Sequence, residues 1–126
     1  MMNREELNQL SDKIIGIAIE VHKSLGSGFI EKVYESAFEK ELINNNLKYK
    51  RQFPVKVNYK NEDVGEQRID FMIDDQIIVE LKTVSELLDI HKMQMLSYLK
   101  TCQKKIGLIL NFAKKTLGIK RMVNNF

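Results

Sequence analysis

Apolar side chains recur along this chain in two rhythms, and the change from one to the other separates its elements. From Ser11 to Leu25, residues Ile14, Ile17, Ala18, Val21 and Leu25 fall three or four positions apart, which is one face of a helix. Ser11 or Asp12 can cap its start, and Gly26-Ser27-Gly28 stops it. A second helix is predicted over Phe29–Asn44, with Ile30, Val33, Tyr34, Ala37, Phe38 and Leu42 as its stripe. After Asn44-Asn45-Asn46 the period shortens to two. Phe53, Val55, Val57 and Tyr59 alternate with Gln52, Pro54, Lys56 and Asn58, so this is a half-exposed strand, and Pro54, which lacks an N–H, belongs near a sheet edge.

Asn61–Gly65 reads as a turn. Two strands follow in the stretch RIDFMIDDQIIVELK, Arg68 to Lys82, joined by a short acidic turn. Ser85–Asp89 is polar enough for a connection, and a helix is predicted over Ile90–Thr101. Lys105–Phe112, KIGLILNF, has a continuous apolar centre suited to a strand covered on both faces. A turn over Ala113–Leu117 leads into a last strand, Gly118–Val123. The expected order is α-α-β-β-β-α-β-β, an α/β fold with a mixed sheet packed by helices.

At 126 residues the chain suits a single domain with one ordinary core. Hydrophobic residues at 44% and charged residues at 29% match a globular protein and exclude disordered or fibrous classes. A net charge of +3 permits a polyanionic partner without requiring one. Cys102 is the lone cysteine, so a cysteine zinc site and an internal disulfide are both excluded. MMNREELNQL lacks the apolar run of a secretion signal and no stretch has the length of a membrane span, so a cytoplasmic setting is expected, with no membrane contact.

Chemistry concentrates in the two central strands. Alternation over Ile77–Lys82 places Ile78, Glu80 and Lys82 on one face and Ile77, Val79 and Leu81 on the other. Asp70, between Ile69 and Phe71, is an acid in an equally apolar strand. Charges in such surroundings must be paired, hydrated in a cleft or bound to a metal. Whether Asp70 and Glu80 meet depends on the hairpin. A two-residue Asp74-Asp75 turn would send their side chains to opposite faces, whereas a three-residue loop that includes Gln76 sets Asp70 against Glu80.

If they converge, the carboxylates make a hard-oxygen site suited to Mg²⁺ or Mn²⁺, which the Leu81 carbonyl could complete. Lys82 would orient a water or stabilise charge growing on a phosphate, and Glu31, at the margin of the second helix's stripe, could bind a second metal or a metal-bound water. A surface Glu80–Lys82 ion pair is the commoner origin of an E-x-K pattern. Gln94 and Tyr98 share a helix face at i, i+4, which spacing alone assigns to packing. Lys48, Lys50, Arg51, Lys104, Lys105, Lys114, Lys115, Lys120 and Arg121 could line a DNA-facing rim, although scattered lysines more often form a solvated face. Glu39-Lys40-Glu41 reads as ordinary helix surface.

Gly28-Phe29-Ile30-Glu31-Lys32-Val33-Tyr34, with IEVHKSLG before it, RIDFMI and VELK after it and the Gln94–Tyr98 pair downstream, resembles the GxxExxY proteins of the PD-(D/E)XK nuclease superfamily. The resemblance runs from about Ser11 to Val123. It implies a restriction-endonuclease-like core and hydrolysis of phosphodiesters in DNA, or RNA, by a magnesium-activated water. It further implies Asp70 and Glu80 as metal ligands, Lys82 as the catalytic lysine, Glu31 as a helix-borne acid, and Gln94 and Tyr98 as a Q-x-x-x-Y pair beside the site. Arg68-Ile69-Asp70 stands where the superfamily label has Pro-Asp.

Two further readings compete with the nuclease. The same fold would serve as a non-catalytic module for nucleic acid or a protein partner, with the acids kept as a structural network. A homodimer could form across the edge strand that carries Pro54 or across the C-terminal strand.

Overall fold

The computed structural model describes residues Met1–Phe126 and comprises α1 (Arg4–Leu25), α2 (Glu31–Asn44), β1 (Tyr49–Tyr59), β2 (Glu62–Ile73), β3 (Ile77–Lys82), α3 (Asp89–Cys102), β4 (Ile106–Asn111) and β5 (Gly118–Val123). The order is the expected one, and the fold is α/β with a five-stranded mixed sheet. The strands lie in the order β1-β2-β3-β4-β5. Only β3 and β4 are parallel, joined through α3. The other neighbours are antiparallel, and β1, which carries Pro54, and β5 form the two edges.

Alternation on the central strands builds the layers. Ile77, Val79 and Leu81 of β3, with Ile106, Leu108 and Leu110 of β4, point to the side covered by α1 and α2, where Ile14, Val21, Tyr34, Phe38 and Leu42 complete the larger core. Ile78 and Ile109 point to the opposite side, where Met95, Tyr98 and Leu99 of α3 cover them. Every residue of β4 is buried, as its continuous apolar run requires. No helix is long and apolar enough to cross a membrane.

The first helix begins earlier than its stripe suggested. Leu7 and Leu10 extend the buried face, and Asn3 caps the start in a reciprocal pair with Glu6, its side chain accepting from the Glu6 N–H at 2.8 Å. Ser11 is therefore a buried residue within the helix and not its cap. The second helix begins at Glu31, and its inward line is Tyr34, Glu35, Phe38 and Leu42. Ile30 and Val33, expected in that stripe, are exposed because the helix is rotated toward Tyr34 and Phe38. The turn after β1 is tighter than expected, since β2 already begins at Glu62 and Lys60 and Asn61 carry left-handed φ angles of 50° and 66°.

One irregularity bears on function. On β1, Tyr49 packs toward α1 and α2, whereas Phe53 and Val55 pack toward α3. On β2, Phe71 and Ile73 share the first side and Ile69 lies on the second. Simple alternation would keep each set on one face. The reversal falls at Gln52, which has a left-handed φ of 53° and lies between the paired positions Arg51↔Phe71 and Phe53↔Ile69, opposite Asp70.

The segment joining α1 to α2 is held from below. The Tyr34 hydroxyl donates to the Gly26 carbonyl at 2.6 Å and accepts the Phe29 N–H at 3.3 Å, while its ring stacks on Phe112 with centroids 4.6 Å apart. Gly28 sits in this segment at φ 109°, where a side chain would strain the backbone. Tyr34→Phe keeps the ring and strands two backbone groups, so it is expected to lower unfolding stability by about 1–2 kcal/mol, read as an earlier urea midpoint with an unchanged slope. A midpoint equal to that of the parent would show that the hydroxyl does not hold the segment.

Candidate active site

The loop between β2 and β3 is Asp74-Asp75-Gln76, with left-handed φ angles of 52° and 54° at the two aspartates. It pairs Ile73 with Ile77, Met72 with Ile78 and Phe71 with Val79. This three-residue loop continues the register to Asp70 opposite Glu80, the arrangement that convergence needs. There the backbone ladder stops and side chains replace it. The Asp70 N–H donates to Glu80 Oε2 at 2.7 Å, and the Leu81 N–H donates to Asp70 Oδ2 at 2.8 Å.

Glu80 is only 6% exposed, and burial followed by the neighbouring Asp70 charge pushes its carboxyl from the ordinary 4.5 up to about 8. Burial also raises Asp70, against the Leu81 amide that stabilises its ionised form. The Asp70 charge favours the protonated form of Glu80, while the contacts from Leu81 and Glu80 favour the ionised form of Asp70. Side by side, the two groups favour either a shared proton or a cation between them.

Lys82 lies on the Glu80 face as the last residue of β3, and its carbonyl accepts the Phe112 N–H at 2.8 Å. Its positive charge is felt by Glu31, Asp70 and Glu80, lowering the pKa of each. Yet it lies within 4.0 Å of no carboxylate and is absent from every side-chain hydrogen bond in the molecule. The Glu80–Lys82 ion pair that the E-x-K pattern suggested does not form. Glu31 stands at the start of α2, its pKa raised by burial and then by Asp70. It does not join Asp70 and Glu80 in a cluster of three metal-binding side chains.

Gln94 and Tyr98 complete the surroundings from α3. Tyr98 is buried, and burial together with the Glu80 and Asp70 charges pushes its hydroxyl up to about 12, while the neighbouring Gln94 side chain opposes the shift. The pair adjoins the acids as well as packing the smaller core. The hydroxyl stays protonated near neutral pH and is available as a donor.

Three residues that periodicity did not single out shape this region. Glu35, one turn after Glu31 and 7% exposed, accepts from Arg51 Nε at 2.8 Å and from Gln52 Nε2 at 2.7 Å. Arg51 also donates to Glu39 at 2.9 Å, so it is turned inward and is no part of a nucleic-acid rim, and Glu39 is no ordinary surface acid. Asn111, paired with Lys82 across β3 and β4, donates to the Val84 carbonyl at 2.8 Å and accepts from the Val84 and Ala113 amides at 3.2 Å each, pinning the segment after Lys82. The spacing of Glu35 from Glu31 at i, i+4 was the available sign of the first.

The remaining basic residues do not gather into one rim. Lys114 and Lys115 follow β4 at the Lys82 end of the sheet, whereas Lys104 and Lys105 precede it at the other end, where Lys104 pairs with Asp75 at 3.3 Å. With Lys100, Gln103, Asn124 and Asn125 they line a polar depression of about 560 Å³, remote from the acids.

The family model of the PD-(D/E)XK nuclease superfamily matches residues 8–122. Among solved structures, the crystal structure of SSO0001 is similar with a TM-score of 0.61 and 19% identity over 75% of this chain, a likeness of fold. The chain spans 50% of that solved chain's length. No protein in the curated comparison matches.

The raised Glu80 pKa links stability to pH. Between its unfolded value near 4.5 and its folded value of about 8, the native state keeps a proton that the unfolded chain releases. That contribution is fully present below 4.5 and is lost as pH rises through 8. Urea unfolding is therefore expected to show stability falling between pH 5 and 8, with the larger part of the slope removed in Glu80→Gln. An E80Q slope equal to the parent's would place the proton elsewhere.

Proposed function

The chain belongs to the PD-(D/E)XK nuclease superfamily, and from that membership and the buried Asp70–Glu80 pair we propose that it is a metal-dependent nuclease acting on DNA, or RNA, of the GxxExxY type. The observation that carries the reading is the replacement of the β2–β3 ladder by two reciprocal contacts, Asp70 N–H to Glu80 and Leu81 N–H to Asp70, beside an unpaired Lys82. A structural network would be expected to neutralise its acids with the lysine. Here the lysine stands near them and is bound to none.

The donor set fits a divalent cation. Each carboxylate spends one oxygen on a backbone N–H, and neither of the other two oxygens receives a backbone donor. Two hard oxygens in a low-dielectric setting suit Mg²⁺ or Mn²⁺, with the Leu81 carbonyl as a further ligand. When bound, such an ion supplies Lewis-acid stabilisation of a phosphoryl oxygen and lowers the pKa of water.

The residues of the chain do the rest. Lys82, held by the Phe112 and Asn111 contacts, stabilises negative charge growing on the phosphate. Glu31, protonated more readily than an exposed glutamate, exchanges a proton at the margin of the site. Gln94 and the Tyr98 hydroxyl donate to phosphate oxygens from the α3 side. Nucleic acid is the partner this arrangement serves.

Purified protein is expected to cleave DNA with Mg²⁺ or Mn²⁺, and Lys82→Ala or Asp70→Asn to lower the rate about a hundredfold or more. Absence of cleavage of any nucleic acid with either metal, or cleavage that survives both substitutions, rules the nuclease out. Salt-dependent DNA binding without turnover would instead assign the chain to the non-catalytic module.

A further inference from the structure

The face reversal at Gln52 places its side chain between two acids that no other group connects. Gln52 Nε2 donates to Glu35 Oε1 at 2.7 Å and faces Asp70 Oδ1 at 3.4 Å, one amide hydrogen for each. Glu35 cannot yield to Gln52, because Arg51 Nε holds the same Oε1 at 2.8 Å and Arg51 is itself fixed by Glu39, which in turn accepts the Tyr49 hydroxyl at 2.8 Å. The amide is thus anchored on the α2 side and aimed at the oxygen of Asp70 that the Leu81 N–H leaves free.

The backbone supports the same reading. A left-handed φ of 53° is unusual for a residue with a long side chain, and glycine or asparagine would adopt it more readily. Gln52 is also exposed, so its side chain fills no cavity and packing does not account for it. Its carbonyl accepts Arg68 Nη1 at 3.3 Å, which ties the distorted residue to β2 two positions before Asp70.

We infer that Gln52 is a positioning residue, which holds the Asp70 carboxylate in orientation for a divalent cation by bracing it against Glu35 and Arg51. The inference rests on the metal-site reading above. An outer partner of this kind restricts rotation of a ligand before the ion arrives, and loss of such partners typically weakens metal affinity about 10–100-fold.

The test is titration of the full chain with Mn²⁺ alone, by calorimetry, alongside urea unfolding. Gln52→Gly relieves the left-handed backbone and removes an exposed side chain together with its amide, so the variant is expected to be at least as stable as the parent while its Mn²⁺ Kd rises about tenfold or more. Gln52→Asn tolerates the same backbone but is one methylene too short to span both acids, and its Kd is expected to rise likewise. Asp70→Asn, which removes the charge of the ligand, should abolish binding and shows that the titration reads this site.

Unchanged affinity in both Gln52 variants, with binding lost in Asp70→Asn, overturns the positioning role and leaves the metal site standing. A weaker Kd accompanied by a matching loss of stability also overturns it, since Gln52 would then serve only the fold. A parent that binds no Mn²⁺, or whose binding survives Asp70→Asn, overturns the metal-site reading and this inference together.

Discussion

Two backbone amides in the middle of the sheet are given to carboxylates instead of to backbone carbonyls. The Asp70 N–H goes to Glu80 and the Leu81 N–H to Asp70, and the rest of the structure is arranged around that exchange. A buried donor must find an acceptor. Letting the side chains accept satisfies the amides and brings two acids together in one step. The same exchange ends the β2–β3 ladder beyond Phe71 and Val79, so β2 can turn toward β1 while β3 continues beside β4.

Two adjacent acids in a nonpolar place are costly, and the scaffold holds them by surrounding them with rigid elements. Behind them lies the larger core, with β4 buried along its full length and Tyr34, Phe38 and Phe112 wholly enclosed. The α1–α2 connection is tied to Tyr34, the segment after Lys82 to Asn111, and Met95 seats on Gly107, where any Cβ would lie 2.3 Å from its sulfur. The Tyr34 and Asn111 anchors lie at the Lys82 end of the sheet, where Phe112 stacks on Tyr34 and Asn111 pairs with Lys82. Placement on regular elements makes such a constellation more precise than placement on loops.

Much of this was legible in the residues. The bounds of β3 and β5 follow from their apolar runs and flanking polar residues, and the element order follows from the change of period. The hairpin was reduced to two registers by counting, and the left-handed tolerance of Asp74 and Asp75 accommodates the longer loop. The early turns of α1 are not legible because Leu7 and Leu10 precede the strong part of the stripe, which leaves Ser11 or Asp12 as the apparent cap. Ile30 and Val33 were misassigned because periodicity marks an apolar stripe but not its centre, and α2 is rotated by one residue around its axis. Arg51 and Glu39 look like surface charges in sequence. Their pairing depends on β1 meeting α2, which no local pattern encodes. Gln52 is the hardest to foresee, since a left-handed glutamine contradicts both propensity and alternation.

That contradiction has a physical consequence. Conflict between local preference and overall fold concentrates where function constrains the backbone. In this chain it falls at one exposed strand residue opposite Asp70, next to an arginine withdrawn from solvent and beneath a glutamate buried without an apolar reason. Lys82 adds a second departure from what stability alone would select. A lysine close enough to shift three carboxyl groups, yet paired with none, leaves electrostatic attraction unused in the folded state. Its separation from the acids keeps both signs of charge available, and the nuclease proposed above would use the negative pair for a cation and the ammonium for a phosphate, the division of labour that phosphodiester hydrolysis needs.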